Sequence, residues 1–395
     1  MDTRTILIEN WGFSPEEVSS KQFQIKKLGE ISNEYIEEKA KFYENEYGIS
    51  HDEFLKIIHV FPSTISLSQQ YVLGKFEFYK KTFGFTKQSF KKMIKNGANA
   101  ISYSEENILD KFHNLQKQYG ISASEYGRMI VATPSLIGIS YDMFKERETL
   151  YIEHFGLTRD EFKKLLLHDA FIFRPANETI LQKEEFFRKN FGFKKNDFVK
   201  LLKQNPCLLC YSEDSILQKA NFIANEFNLS RDQACDAIKN WSTILSLSPE
   251  SLHAKNKILQ EIGIDPSFVC YDPKIVSAPE KSLKARYIIA RSVATDEELF
   301  SKKAWYMTNQ NKVFARLQYL KSIKHKVKIG DLYQEEKQFE QYYGVDSESL
   351  IKVYRLDSEN LQNLLEQFNL HSDKKIKLSK AELDYINENQ ESEKE

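Results

Sequence analysis

The sequence predicts an all-α solenoid built from helical repeats of about 36 residues joined by short 3-10-like turns. Three periodic observations predict it. Gly12, Gly48, Gly84, Gly120, Gly156 and Gly192 recur at that interval, Asn228 takes the seventh place and Gly263 follows one residue early. An aromatic precedes each of the first seven (Trp11, Tyr47, Phe83, Tyr119, Phe155, Phe191, Phe227), and an apolar residue follows (Phe13, Ile49, Phe85, Ile121, Leu157, Phe193, Leu229). Two series of capping residues keep the same register. A fixed period of this length marks stacked supersecondary units that share one continuous core.

Each repeat opens with a helix. Ser14, Ser50, Ser122, Thr158 and Ser230 carry Glu or Gln three residues on (Glu17, Glu53, Glu125, Glu161, Gln233), a capping box that satisfies the first free amides. Apolar residues at helical spacing follow, as in Phe90, Met93 and Ile94 or Phe198, Leu201 and Leu202, so one stripe of the helix is buried. Pro62, Pro134 and Pro206 stop it by removing a donor and turning the preceding residue away from helix. Ala98, Ala170 and Ser242 stand at the equivalent sites, so the stop does not depend on proline alone. After a short apolar piece such as Cys207–Tyr211, a second cap series (Ser32, Ser68, Ser104, Ser140, Ser212, Ser248) opens a closing helix that runs to the next glycine. Repeats are thereby expected near 10–45, 46–81, 82–117, 118–153, 154–189, 190–225, 226–260, 261–290 and 291–325. Together these make a solenoid over 1–330, with a capping region over 331–373 that includes the glycine-centred Tyr342-Tyr-Gly-Val-Asp and helical Leu350–Tyr354. An acidic disordered tail is expected over 374–395.

Composition narrows the function. No apolar run is long enough to span a bilayer, and the acidic first residues Asp2, Glu9, Glu16 and Glu17 fit neither a signal peptide nor an Arg-rich transit peptide. Four cysteines in 395 residues do not make a disulfide framework. Cys207 and Cys210 form a CxxC, but the same repeat positions hold Phe171 and Arg174, or Ser63 and Ser66, so structural thiols are expected and no metal site. No phosphate loop, nucleophile elbow or paired carboxylates stand out, and neither catalysis nor a cofactor is expected.

The net charge of −1 conceals a division along the chain. Residues 1–73 hold 7 Lys and Arg against 12 Asp and Glu (−5), residues 74–260 hold 28 against 22 (+6), residues 261–330 hold 13 against 7 (+6), and residues 331–395 hold 8 against 16 (−8). The basic middle contains two cation columns. Lys39, Lys75, Lys111, Arg147, Lys183, Lys219 and Lys255 lie 36 apart on the closing helices, and Arg286 and Arg316 continue them at shorter intervals. Two roles stand open for that column: contact with phosphate, or packing, the stem covering apolar surface while the charge binds the carbonyls of a neighbouring element. Lys56, Lys92, Arg128, Lys164 and Lys200 form the second column, on the opening helices, about 200° round from the buried aromatic two residues earlier. That face is expected to meet solvent, and its single sign, broken only by Asp236, suits a polyanion.

The glycine with its flanking hydrophobics, the Ser or Thr with Glu three residues on, and Asn205-Pro-Cys-Leu-Leu-Cys-Tyr-Ser before a new helix resemble the repeat of the mitochondrial transcription termination factor (mTERF) family from residue 10 to about 320. The resemblance implies a right-curving superhelix that binds double-stranded nucleic acid, usually DNA, along a basic groove, with a role in transcription regulation, termination or genome maintenance. Lys75, Lys111, Arg147, Lys183, Lys219, Lys255, Arg286, Arg316, Lys92, Arg128, Lys164 and Lys200 are then the candidate contacts. Guanine edges could be read by Arg128, Arg147, Arg159, Arg174, Arg286 or Arg316. The acidic first repeats are expected to cap the solenoid. A cytoplasmic, non-organellar monomer is expected, a mitochondrial protein or one secreted into a host cell being the alternatives. A protein-interaction scaffold, such as a bacterial effector, is the second functional reading, and an RNA-binding repeat protein the third.

Overall fold

The computed structural model describes residues 3–19, 31–168, 170–173, 175–301, 303–371 and 375–388. Every regular element among them is helical. The chain forms two compact units, Met1–Glu185 and Phe186–Glu395.

In the first unit, opening helices at His51–Val60, Lys87–Gly97, Ala123–Ala132 and Arg159–His168 alternate with closing helices at Asn33–Tyr47, Gln69–Phe83, Glu105–Tyr119 and Tyr141–Thr149. The last of these continues as a π-helical turn over Leu150–His154. Five-residue 3-10 turns, Pro62–Ser66, Ala98–Ser102 and Pro134–Gly138, join each pair. The five capping boxes form, as at Ser50 and Glu53 or Thr158 and Glu161. Each serine of the second series accepts the amide three residues on. Ala98 and Ser242 start 3-10 turns at the register of the prolines. Closing helices end where the backbone turns left-handed: Gly48 has φ 64° and, in the second unit, Asn228 has φ 52°. Asparagine is the non-glycine residue that tolerates this region best, which is why it can stand in the column.

In the first unit the aromatics before Gly48, Gly84 and Gly120 join one repeat to the next. Tyr47 lies 5.7 Å from Phe76 of the next closing helix and 5.0 Å from Phe90 of the next-but-one opening helix. Phe83 repeats this with Phe112 and Tyr126 at 5.6 and 5.3 Å, and Tyr119 with Phe144 and Phe162 at 5.8 and 5.9 Å. Edge-to-face and tilted ring pairs of this kind add to the apolar burial that holds the stack.

In the second unit the pattern continues through opening helices Lys195–Gln204 and Arg231–Asn240 and closing helices Glu213–Glu226 and Pro249–Glu261. It then shortens: a 3-10 turn, Pro266–Cys270, replaces the ten-residue opening helix before Glu280–Arg291, and six residues, Asp296–Ser301, replace it before Gln310–Ser322. Helices Ile329–Tyr333, Glu336–Tyr343, Ser347–Val353 and Ser358–His371 follow. Gly344 (φ 71°) and the Asp346 cap keep a trace of the repeat.

The expectation of a disordered tail from 374 is corrected over 375–388. Ser379 and Glu382 form a capping box that opens helix Lys380–Glu388. The Lys284 ammonium bonds the Glu382 carboxylate at 3.1 Å and the Lys377 carbonyl at 3.2 Å, while Ile376 and Ile386 are buried. Two apolar anchors and a desolvated ion pair outweigh the acidic composition that suggested disorder. Residues 374 and 389–395 lie outside the described residues.

Candidate nucleic-acid interface

The two cation columns have opposite environments. The closing-helix column points inward, because its members follow a buried apolar residue by one helical turn and lie beside the seam to the next repeat. Lys39, Lys75, Arg147, Lys183, Lys255, Arg286 and Arg316 are all buried, and Lys111 and Lys219 are half-buried.

Seven of the nine charges bind backbone carbonyls further along the chain, mostly just before the next closing helix. The Lys39 ammonium donates to Leu67 O at 2.5 Å, Lys75 to Tyr103 O at 2.7 Å and Lys219 to Leu247 O at 3.4 Å, each 28 residues on. Arg147 donates to Ile172 O and Pro175 O. With the shorter repeats the reach contracts: Lys255 bonds Ala278 O, 23 residues on, and Arg286 bonds Tyr306 O at 2.5 Å, 20 residues on. Arg316, fully buried, donates to Ser347 Oγ, Leu332 O, Gln334 O and the Glu336 carboxylate at 2.8–3.0 Å. Of the two roles the sequence left open, these geometries are those of packing. Burial lowers the pKa of Lys39, Lys75, Arg147, Arg286 and Arg316 below the ordinary range and pushes Lys255 down to about 8.

The opening-helix column points outward. Lys56, Lys92, Arg128 and Lys164 of the first unit and Lys200 of the second are exposed. Among the described residues the four lysines make no hydrogen bond or ion pair, and Arg128 reaches only Ser124 Oγ at 3.1 Å, within its own helix. Their neighbours differ. On helix Lys87–Gly97, Lys87 pairs with Glu46 at 3.1 Å, and Lys91 and Lys95 share the Glu53 carboxylate at 2.8 and 2.5 Å. Those two ammonium groups hold Glu53 down at about 2. Lys92 is left as that helix's unpaired charge. Asp52 and Asp160 lie one turn before Lys56 and Lys164, whereas Gln88, Ser124 and Asn196 precede Lys92, Arg128 and Lys200. Three residues before, Glu53, Glu125, Glu161 and Asp197 precede Lys56, Arg128, Lys164 and Lys200, whereas Ser89 precedes Lys92, so the field is least compensated at Lys92.

The candidate base-reading arginines separate in the same way. Arg147, Arg286 and Arg316 are buried in seams. Arg159 is exposed but lies over the Tyr119 ring at 5.2 Å and 3.6 Å from Glu148. Arg174 lies outside the described residues. Of the five described, Arg128 is exposed and makes no ion pair, with Glu125 one turn away on its own helix.

Sequence reading missed Lys91, whose ammonium also meets the carbonyl of helix-capping Gly48 at 2.5 Å. A lysine one place after the buried aromatic, at 91 and again at 163, is its only trace in the sequence. Cys207 and Cys210 sit on a 3-10 turn, and the Cys207 thiol donates to Asn205 Oδ1 at 2.7 Å. Among the described residues no cluster of three or more His, Cys, Asp or Glu side chains could hold a metal, and no helix is long and apolar enough to cross a membrane.

A search of curated proteins finds no match to the chain. The mTERF family model matches it twice, over residues 15–157 and 150–287, more than half its length and the region of the glycine column. With its all-helical repeats, the chain belongs to the mTERF family of helical-repeat, nucleic-acid-binding proteins.

Proposed function

We propose that the protein binds duplex nucleic acid, DNA in preference to RNA, through the exposed opening-helix column, and acts without catalysis in transcription regulation, termination or genome maintenance. The single observation that carries the reading is the contrast between the columns. Lys92, Arg128 and Lys164 of the first unit, and Lys200 of the second, are exposed and make no ion pair among the described residues, whereas the buried column is engaged by backbone carbonyls. A charge repeated at one fixed place suits a uniform phosphate backbone better than a base-by-base code. Phosphate neutralisation supplies the affinity, and Arg128 is the residue positioned to contribute bidentate contacts. Lys111 and Lys219, the half-buried members of the inner column, contribute less.

Fluorescence anisotropy with labelled random duplex DNA, duplex RNA and single-stranded RNA tests this. Several phosphate contacts predict a loss of affinity of about 10³ or more between 50 and 200 mM salt. Duplex DNA is expected to bind tightest and with the steepest salt dependence. Absence of binding to all three rejects the reading, and tighter binding to single-stranded RNA replaces duplex by single-strand recognition.

A further inference from the structure

One seam of the first unit is built differently from the others. Three residues after the 36-spaced cations of the inner column, all but one, stands an apolar residue: Phe42, Phe78, Leu150, Phe186, Phe222 and Ile258. In the third repeat that place is Asn114, which is exposed. Where the apolar side chain would lie, the structure has a half-open notch of about 30 Å³. It is lined by Leu115, Leu136, Ile139 and Phe144. At about 10–15 Å³ per water centre this is room for roughly two or three waters, on the order of a phenyl ring.

Further features belong to the same notch. Lys111, on its rim, makes no hydrogen bond or ion pair among the described residues, unlike Lys39 and Lys75 in the two preceding seams. Tyr126, fully buried, and Gln118, whose Nε2 donates to Tyr141 Oη at 2.9 Å, complete its walls. The chain also supplies a template for an occupant: in the preceding seam the Lys75 ammonium lies 5.8 Å from the centroid of the Phe78 ring. Tyr141, 45% exposed, adds its ring to the lining.

We propose that this notch is a binding site for an aromatic side chain of a partner protein, flanked by a carboxylate. The ring takes the place that Phe78 fills in the preceding repeat, and Lys111 covers its face and meets the carboxylate. An aromatic anchor in a desolvated pocket is the usual core of a protein interface.

N-acetylphenylalanine, which carries both ring and carboxylate, is the probe, with binding monitored by saturation-transfer NMR on the full chain. Saturable millimolar binding is expected, roughly tenfold weaker for N-acetylphenylalanine amide and for Lys111→Met, and absent for N-acetylalanine. Asn114→Phe is expected to raise Tm and abolish binding, because it closes the notch with the residue other repeats use. Asn114→Leu, which copies Leu150 of the next repeat, does the same if the phenylalanine variant does not fold. Binding that survives either folded variant, or no saturable binding by the native protein, overturns the proposal.

Discussion

Replacing Lys75 by methionine separates the two columns by their energetics. The side chain is 5% exposed, its ammonium donates to Tyr103 O at 2.7 Å, and it lies 5.6 and 5.8 Å from the Tyr71 and Phe78 rings. Methionine keeps the apolar stem and removes the donor, so a charge-assisted bond of about 1.5–3 kcal/mol is lost and Tyr103 O is stranded. The two ring contacts add about 1 kcal/mol. Against this, the variant no longer buries a charge, a cost visible in the lowered pKa of Lys75. The net expectation is a destabilisation of about 1–3 kcal/mol, read from the urea midpoint of the transition that monitors the first unit. Lys92→Met, on the exposed column, is expected within about 0.5 kcal/mol of the native protein. Lys111→Met, in the same column as Lys75 but without its bond, is expected to fall between them. Equal midpoints for Lys75→Met and Lys92→Met would refute the assignment of the inner column to packing.

Lys255 has a folded pKa near 8, depressed by burial, against about 10.4 when unfolded, so the unfolded chain binds the additional proton between these values. Stability contributed by Lys255 therefore rises with pH from about 8 upward. The difference in urea midpoint between the native protein and Lys255→Met should grow between pH 8 and 9.5, and a constant difference would contradict this. Arg316→Met removes the centre of four hydrogen bonds and strands the Leu332 and Gln334 carbonyls it served, while Glu336 keeps Lys312 and Ser347 N, at an expected cost of about 3–5 kcal/mol. Hydrogen exchange should accelerate across 329–353, and unchanged protection there would contradict it. Glu382→Gln weakens the clasp on Lys284 and is expected to loosen 375–388 by about 1–3 kcal/mol, read as faster limited proteolysis of that segment. Cleavage at the native rate would show that Ile376 and Ile386 hold the arm alone.

Much of the local structure is legible in the sequence because it depends on single residues in fixed positions. The glycine column requires left-handed backbone, and the Ser50–Glu53 type of box satisfies amides that have no other partner. What sits inside a seam is not legible in the same way. A lysine beside an apolar stripe reads alike whether it reaches water or a carbonyl 28 residues away, and only the stacking of repeats decides. The acidic C-terminal arm misleads for a related reason. Composition predicts solvation, but the contact that holds Glu382 is to Lys284, 98 residues earlier, beyond any local pattern. The exposed column is easier to read, since the angle between a buried aromatic and the residue two places on is a property of the helix itself.

The most direct test neutralises Lys92, Arg128 and Lys164 together in the full chain, as glutamines, and compares the salt dependence of duplex DNA binding with that of the native protein. Each lost phosphate contact lowers the slope of log affinity against log salt by about 0.9, so the triple variant should lose about 2.7 from the slope while keeping its thermal stability. A slope equal to that of the native protein would contradict phosphate binding by this column.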